Sequence, residues 1–112
     1  MKKPLNLTLP QARRIWLHAQ RLDSRAPSAI VIPPGVGHAF YFPEPSIHIY
    51  SVTEYWDLAD ELGCRWDASG LDIDWGFDDP ILSPRDEQLP DLETLVFTLN
   101  EKLSHNLDDK QQ

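Results

Sequence analysis

Short runs of β-branched and aromatic residues, closed by proline and glycine, dominate the middle of this chain of 112 residues. The clearest runs are residues 29–32, 38–42 and 47–53, and shorter candidates follow at 64–66 and 71–75. Runs of this length and composition are typical of β-strands. The pattern predicts a mainly β protein with about five strands.

A helix is predicted at each end of the chain. Near the N-terminus, Thr8 and Gln11 fit a capping box, and apolar residues recur at three- and four-residue steps up to Leu22, which predicts a helix over Leu5 to Arg25. Near the C-terminus, Asp91 is a suitable N-cap for a helix from Asp91 to Leu103. The apolar face of this second helix contains Leu92, Leu95, Val96, Leu99 and Leu103.

The charge is distributed unevenly around the net value of −8. Residues 1–25 carry six basic residues and one acid, whereas residues 26–112 carry four basic residues and seventeen acids. Because carboxylates repel phosphate, the acidic body argues against a nucleic-acid partner. The single cysteine, Cys64, excludes an internal disulfide and a multi-thiolate zinc site. No apolar run is long enough to span a membrane, so we expect a cytoplasmic protein without a membrane partner.

The segment Pro33 to Phe40 (PPGVGHAF) predicts a tight turn that places His38 at the start of a strand. A structural histidine is an equally good interpretation of this residue. The spacing of Pro33, Gly35 and His38 also matches half of the cupin metal signature, but the other half is absent. Since a zinc or iron site needs three or four converging donors, we expect no metal.

Two further pairs of residues could carry chemistry. Tyr50 and Tyr55 could line a cavity and act as general acids, or they could be amphipathic aromatics on a half-buried strand. Arg85 could bind a phosphate or carboxylate and Asp86 could orient a histidine base, although the pattern by itself favours a solvated turn.

Four motifs in order resemble the C-terminal half of the dTDP-4-dehydrorhamnose 3,5-epimerases. They are PPGVGHAF, IYSVTEYW, GCRWDASGLDIDW and PILSPRDEQLP, and the resemblance covers residues 29–90. It implies a cupin-type jelly roll that works as a homodimer, without metal or cofactor. It also implies a dTDP-4-keto-6-deoxy sugar as ligand, whose C3 and C5 such enzymes invert by removing and returning protons beside the ketone.

The resemblance assigns roles to individual residues. Tyr50 is similar to the tyrosine that returns a proton, and Asp86 is similar to the aspartate that supports the catalytic histidine. The remaining positions that resemble substrate-binding residues of the family are His38, Tyr55, Glu61 and Arg85. Arg85 stands where the family has lysine, which keeps the charge but changes the donor geometry.

One part of the family pattern is absent. The proton-abstracting histidine of the family lies in an R-G-L-H-type segment of its N-terminal half, and this chain has no such segment. Proton removal beside a ketone needs a positioned base, which contributes about 10²–10⁴ in rate. We therefore expect a truncated epimerase-like protein that is inactive as this chain alone. The alternative is a non-enzymatic protein-association module built on a cupin remnant.

The expected organisation follows from these observations. Residues 1–28 form a basic amphipathic helix and linker, residues 29–90 a partial jelly roll, residues 91–105 a helix and residues 106–112 a polar tail. The first helix also has a faint resemblance to winged-helix, DNA-glycosylase-like proteins, over fewer than about twenty residues. One helix without a recognition helix cannot read DNA in the usual way, so a packing helix is the favoured interpretation.

Overall fold

The computed structural model of the protein describes residues 18–111. Their chain divides into two compact units, which are treated separately below. The N-terminal unit is His18–Leu62, and the described part of the C-terminal unit is residues 63–111. Among these described residues, no helix is both long and apolar enough to cross a membrane.

Helix α1, Leu92–Asp108, is the main element of the C-terminal unit. The Asp91 carboxylate accepts a hydrogen bond from the Thr94 backbone N–H at 2.8 Å, which confirms the predicted N-cap. The helix runs past Leu103 because neither glycine nor proline follows it, and it ends in a short 3-10 helix at Asp109–Gln111. The predicted C-terminal helix is thus present and longer than expected.

A small apolar core lies between the first two turns of α1 and the preceding loop. Its buried residues are Ala68, Leu92 and Val96, and three partly buried residues pack against them: Cys64, Leu71 and Leu95. Gly70 has a φ of +94°, and a Cβ there would lie 3.3 Å from Leu92 Cδ2. The positive φ favours glycine at this position, and a Cβ there would also require the Leu92 side chain to shift by a few tenths of an ångström.

The predicted strands at 64–66 and 71–75 are turns and irregular loop instead. Turns lie at residues 66–67 and 69–71, where the Ala68 N–H bonds the Arg65 carbonyl at 3.1 Å and the Leu71 N–H bonds the Ala68 carbonyl at 3.2 Å. A hydrogen bond of 2.8 Å from the Arg65 N–H to the Pro90 carbonyl ties this loop to the start of α1. The backbone N–H groups of this loop therefore donate hydrogen bonds to carbonyls of the loop itself and to Pro90, just before α1. They do not pair with a strand among residues 18–111.

The N-terminal unit consists of extended segments, two turns and a 3-10 helix at Leu58–Asp60. The runs at 29–32, 38–42 and 47–53 do not pair into a sheet, and the described residues contain one isolated bridge, between Asp23 and Ala26. Val31, Ile47 and Ile49 are 85–92% exposed.

The expected mainly β fold, a partial jelly roll with a helix at each end, is therefore wrong for the described residues. Strand propensity measures how well a side chain fits a half-buried, pleated surface. Here no neighbouring strand or covering layer provides that surface within the N-terminal unit. The β-branched residues consequently remain extended and exposed.

The predicted N-terminal helix lies mostly outside the described residues. Residues 18–22 are described and are not helical, so the end of that prediction is wrong. A turn follows, in which the Asp23 carboxylate accepts hydrogen bonds from the backbone and side chain of Arg25. The side-chain bonds of Arg25, followed by its backbone N–H, lower the pKa of Asp23 to about 2. This ion-paired turn takes the place of the last helical turn.

Candidate functional site

A row of five aromatic rings lies in the N-terminal unit and contains two of the predicted site residues. We call it the ring row, and its members are His38, Phe40, Phe42, His48 and Tyr50. The rings of Phe40 and His48 are closest, with centroids 4.2 Å apart. The structure thereby connects His38 to Tyr50 through two intervening rings.

The alternation of side chains along two extended segments builds this row. His38, Phe40 and Phe42 are separated by steps of two residues, as are His48 and Tyr50. Successive side chains of an extended chain point to opposite sides, so each set shares one face. The His48 ring lies between the segments, 5.7 Å from Phe42 and 5.3 Å from Tyr50. The two segments contact through rings although they form no ladder.

The predicted turn before His38 is present. The Val36 N–H bonds the Pro33 carbonyl at 3.3 Å, and Gly35 has a φ of +84°. Proline at the second turn position and glycine at the third are the residues that a type II turn requires. The turn brings the chain into the extended segment in which His38 and Phe40 make an edge-to-face ring contact at 5.7 Å.

The ring row combines exposed aromatic surface with polar groups. Phe40 and Phe42 are about half exposed, and Tyr50 is 66% exposed. Aromatic faces of this kind can stack on planar or ring-shaped ligands, and the Tyr50 hydroxyl and the imidazoles can exchange hydrogen bonds with them. Within residues 18–111, no three histidine, cysteine or acidic side chains converge as metal ligands would.

The two other predicted residues of this unit do not join the ring row. Tyr55 is fully exposed and makes no ring contact with the described aromatics. Glu61 caps the 3-10 helix Leu58–Asp60, and its backbone N–H bonds the Leu58 carbonyl at 3.2 Å. Neither placement assigns a binding role, so both remain predictions.

Arg85 and Asp86 lie in the C-terminal unit, at a turn that leads into a 3-10 helix at Asp86–Gln88. Ser83 organises the turn, because its hydroxyl accepts from the Asp86 N–H and its carbonyl accepts from the Glu87 N–H. Arg85 Nη1 lies 3.6 Å from Asp86 Oδ1. The Arg85 side chain also lies near Gly63, since a Cβ added to that glycine would be 3.9 Å from Arg85 Nη2. An exposed pair of this kind contributes at most about 1 kcal/mol.

The carboxylate of Asp86 has an arginine beside it rather than an imidazole. Asp86 lies in the C-terminal unit, where His105 is the histidine among the described residues. His105 lies near the end of α1 and makes no hydrogen bond to Asp86. The role predicted for Asp86 is to support a catalytic histidine, and the described residues of this unit place no histidine beside it.

His48, at the centre of the ring row, is not among the site residues predicted from the sequence. The alternation of His48 and Tyr50 was visible, but their contact with Phe40 depends on the register between two segments. A second aromatic cluster was also missed, formed by Trp66, Trp75 and Phe77. The sequence feature that indicates this cluster is the step of two residues from Trp75 to Phe77, which places both rings on one side of an extended segment.

Comparison with known proteins gives one match. No curated protein and no solved structure matches the chain. A sequence model of dTDP-4-dehydrorhamnose 3,5-epimerase matches residues 13–94, which include every predicted site residue. Since the match covers well over half of the 112 residues, the protein belongs to the dTDP-4-dehydrorhamnose 3,5-epimerase family.

Proposed function

We propose that this chain binds a dTDP-4-keto-6-deoxy sugar through the ring row and does not epimerise it as this chain alone. The observation that carries the proposal is the chain of ring contacts from His38 to Tyr50. Both residues occupy positions that resemble functional positions of the family. A ligand with a planar base and a sugar ring has surfaces that such rings can stack against.

The proposed lack of turnover concerns the base. Epimerisation beside a ketone needs one group that removes the carbon-bound proton and another that returns it. Tyr50 is suited to return a proton, and its exposed hydroxyl can also exchange protons with water. Asp86 supports this part of the proposal because its neighbour is the Arg85 guanidinium, which cannot accept a proton.

Arg85 and Glu61 enter the proposal as further substrate-binding residues, each on the strength of the family resemblance. The guanidinium of Arg85 can form two parallel hydrogen bonds to a phosphate. Glu61 can accept hydrogen bonds from sugar hydroxyls. Their separate contributions are measurable by substituting Arg85→Gln and Glu61→Gln one at a time and titrating each variant with the ligand.

Self-association is also part of the proposal. Val31, Ile47 and Ile49 expose most of their surface on extended segments. Unpaired extended segments with apolar side chains are templates for pairing with another chain. A homodimer in the cytoplasm is the arrangement that we propose for the protein.

Titration with a dTDP-sugar tests the binding step. We expect saturable shifts of the ring-row resonances in an NMR titration of the full chain with the dTDP-4-keto-6-deoxy sugar. Tyr50→Phe and Phe40→Leu should weaken binding, whereas Tyr41→Phe, the matched control from the same segment, should bind like the parent. If no resonance shifts, the sugar-nucleotide proposal is wrong and the protein-association alternative is favoured.

A further inference from the structure

The C-terminal unit contains a cleft that the proposed function does not use. Its volume is about 400 Å³, and its walls include the rings of Trp66, Trp75 and Phe77. We call it the aromatic cleft. The Trp66 and Phe77 rings stack with centroids 5.5 Å apart, and the Trp75 ring lies 6.4 Å from Trp66 and 5.9 Å from Phe77. Three rings therefore meet at one site.

The position of these rings is defined by local bonds. Trp75 donates its indole Nε1–H to the Trp66 carbonyl at 3.0 Å, which closes the loop between them. Ala68, two residues after Trp66, is buried in the core beside Leu92. The polar edge of the Trp75 indole is thus satisfied within the protein. All three rings are half-buried, so part of their surface remains available in the cleft.

Carboxylates surround the rings, and none of the described lining residues is lysine or arginine. The acidic lining residues are Asp67, Asp72, Asp74 and Asp78. Arg65 pairs with Asp67 at 3.0 Å, and its side-chain hydrogen bonds lower the pKa of that carboxyl. Among the described residues, no basic side chain pairs with the other three carboxylates. Among the described residues, the aromatic cleft therefore carries negative charge that no basic lining side chain offsets.

We propose that the aromatic cleft binds a small organic cation of the alkylammonium class. An alkylated ammonium gains attraction from ring faces and sheds little hydration, so aromatic rings select it over a metal ion. Carboxylates at the margin add Coulomb attraction, while the apolar rings contact the alkyl groups. An anionic ligand is repelled by the same carboxylates, and a neutral ligand gains no net Coulomb attraction from them.

This inference is independent of the proposed function. The ring row is proposed to bind a sugar nucleotide, which is an anion, and the aromatic cleft excludes anions by its charge. If binding at the ring row is lost, binding at the aromatic cleft can still be measured, and the reverse also holds. The two sites also have separate spectroscopic reporters, since the indole N–H groups of Trp66 and Trp75 belong to the cleft.

A titration of the full chain with choline tests the inference, with its uncharged isostere 3,3-dimethylbutan-1-ol as the matched ligand. The readout is the NMR resonance of each indole N–H, assigned with Trp66→Phe and Trp75→Phe. We expect choline to shift the cleft indoles saturably and to leave the indole of Trp56 unchanged. The alcohol has the same shape without the charge, so it should bind about fivefold more weakly or worse.

Charge variants test the role of the carboxylates without removing a ring. Each exposed charge should contribute about threefold to choline binding, so the double variant Asp72→Asn with Asp78→Asn should weaken that binding about tenfold. The matched control, Glu101→Gln with Asp109→Asn, makes the same change of net charge on the C-terminal helical segment and should bind choline like the parent. Circular dichroism of each variant checks that α1 is retained.

Three results would overturn the proposal. The first is the absence of any saturable shift of the Trp66 and Trp75 indoles by choline. The second is equal affinity for choline and the alcohol, which would make the cleft an apolar surface only. The third is a saturable shift by a neutral monosaccharide together with none by choline, which would assign the cleft to carbohydrate.

Discussion

The indole N–H of Trp75 donates a hydrogen bond of 3.0 Å to the backbone carbonyl of Trp66, which lies nine positions earlier in the sequence. This bond links the two ends of the segment that covers the start of α1. The same segment contributes Ala68 to the core and carries the aromatic cleft. Stability of the C-terminal unit and the shape of the cleft therefore depend on the same few contacts.

Trp75→Phe should destabilise the C-terminal unit by about 1 kcal/mol, since it removes one partly buried hydrogen bond and leaves the Trp66 carbonyl without this donor. Urea unfolding followed by circular dichroism measures the change. Trp56→Phe is the matched control, because Trp56 is 60% exposed. Equal midpoints for the two variants would contradict the structural role of the bond.

Leu92→Ala should lower the free energy of unfolding by about 2–3 kcal/mol, because Leu92 is a buried residue of the small core and the site cannot fully collapse. Leu103→Ala makes the same chemical change at a residue of α1 that is 39% exposed. Thermal and urea unfolding of the two variants should differ clearly. A similar loss for both would show that the described core is not where this helix is stabilised.

The helical content of α1 should fall at acidic pH through Asp91. The backbone N–H of Thr94 and then its side chain donate to this carboxylate, which lowers its pKa below the usual 3.8. A lowered folded-state pKa stabilises the helix fully above pH 3.8, and the stabilisation is lost as the pH falls through the folded-state value. The circular dichroism signal at 222 nm between pH 6 and pH 2 measures this loss.

Asp91→Asn separates the cap from its charge. Asparagine is an equally good N-cap but does not titrate, so this variant should lose less helix than the parent on acidification. Glu101→Gln, in the middle of α1, is the control for the removal of a carboxylate elsewhere. If all three proteins lose helix identically, Asp91 does not contribute the expected pH dependence.

The double variant Ile47→Lys with Ile49→Lys should shift the protein toward the monomer. Both side chains are more than four-fifths exposed in the N-terminal unit, and two lysines on each chain would repel across a shared contact. Light scattering coupled to size-exclusion chromatography gives the mass. Ile81→Lys is the control, since Ile81 is equally exposed in the other unit. A parent that is already monomeric at high concentration would contradict proposed self-association.

Local patterns predicted part of this structure correctly. The N-cap of α1 needs one carboxylate and one backbone N–H three residues apart, and the turn at Pro33 needs proline and glycine in adjacent positions. Both depend on neighbours in the sequence. The helix runs beyond its predicted end because no glycine or proline follows Leu103, and Leu107 continues the apolar spacing at a step of four residues.

The sequence pattern could not show that the described residues form no sheet. A strand requires a partner, and no composition of residues 29–32 or 47–53 supplies one. The candidate site shows the same limit. Alternation placed His48 beside Tyr50 on one face, but the contact with Phe40 depends on how two separate segments align. Of the predicted site residues, Arg85 and Asp86 lie in the C-terminal unit and the others lie in the N-terminal unit.

We propose that this family member binds a dTDP-4-keto-6-deoxy sugar but does not remove its C3 or C5 protons. Incubation of the full chain with the dTDP-4-keto-6-deoxy sugar in deuterium oxide, followed by mass spectrometry and NMR of the recovered sugar, tests it most directly. We predict that C3 and C5 take up no deuterium beyond the rate without protein. Uptake at either carbon that exceeds this background would contradict the account.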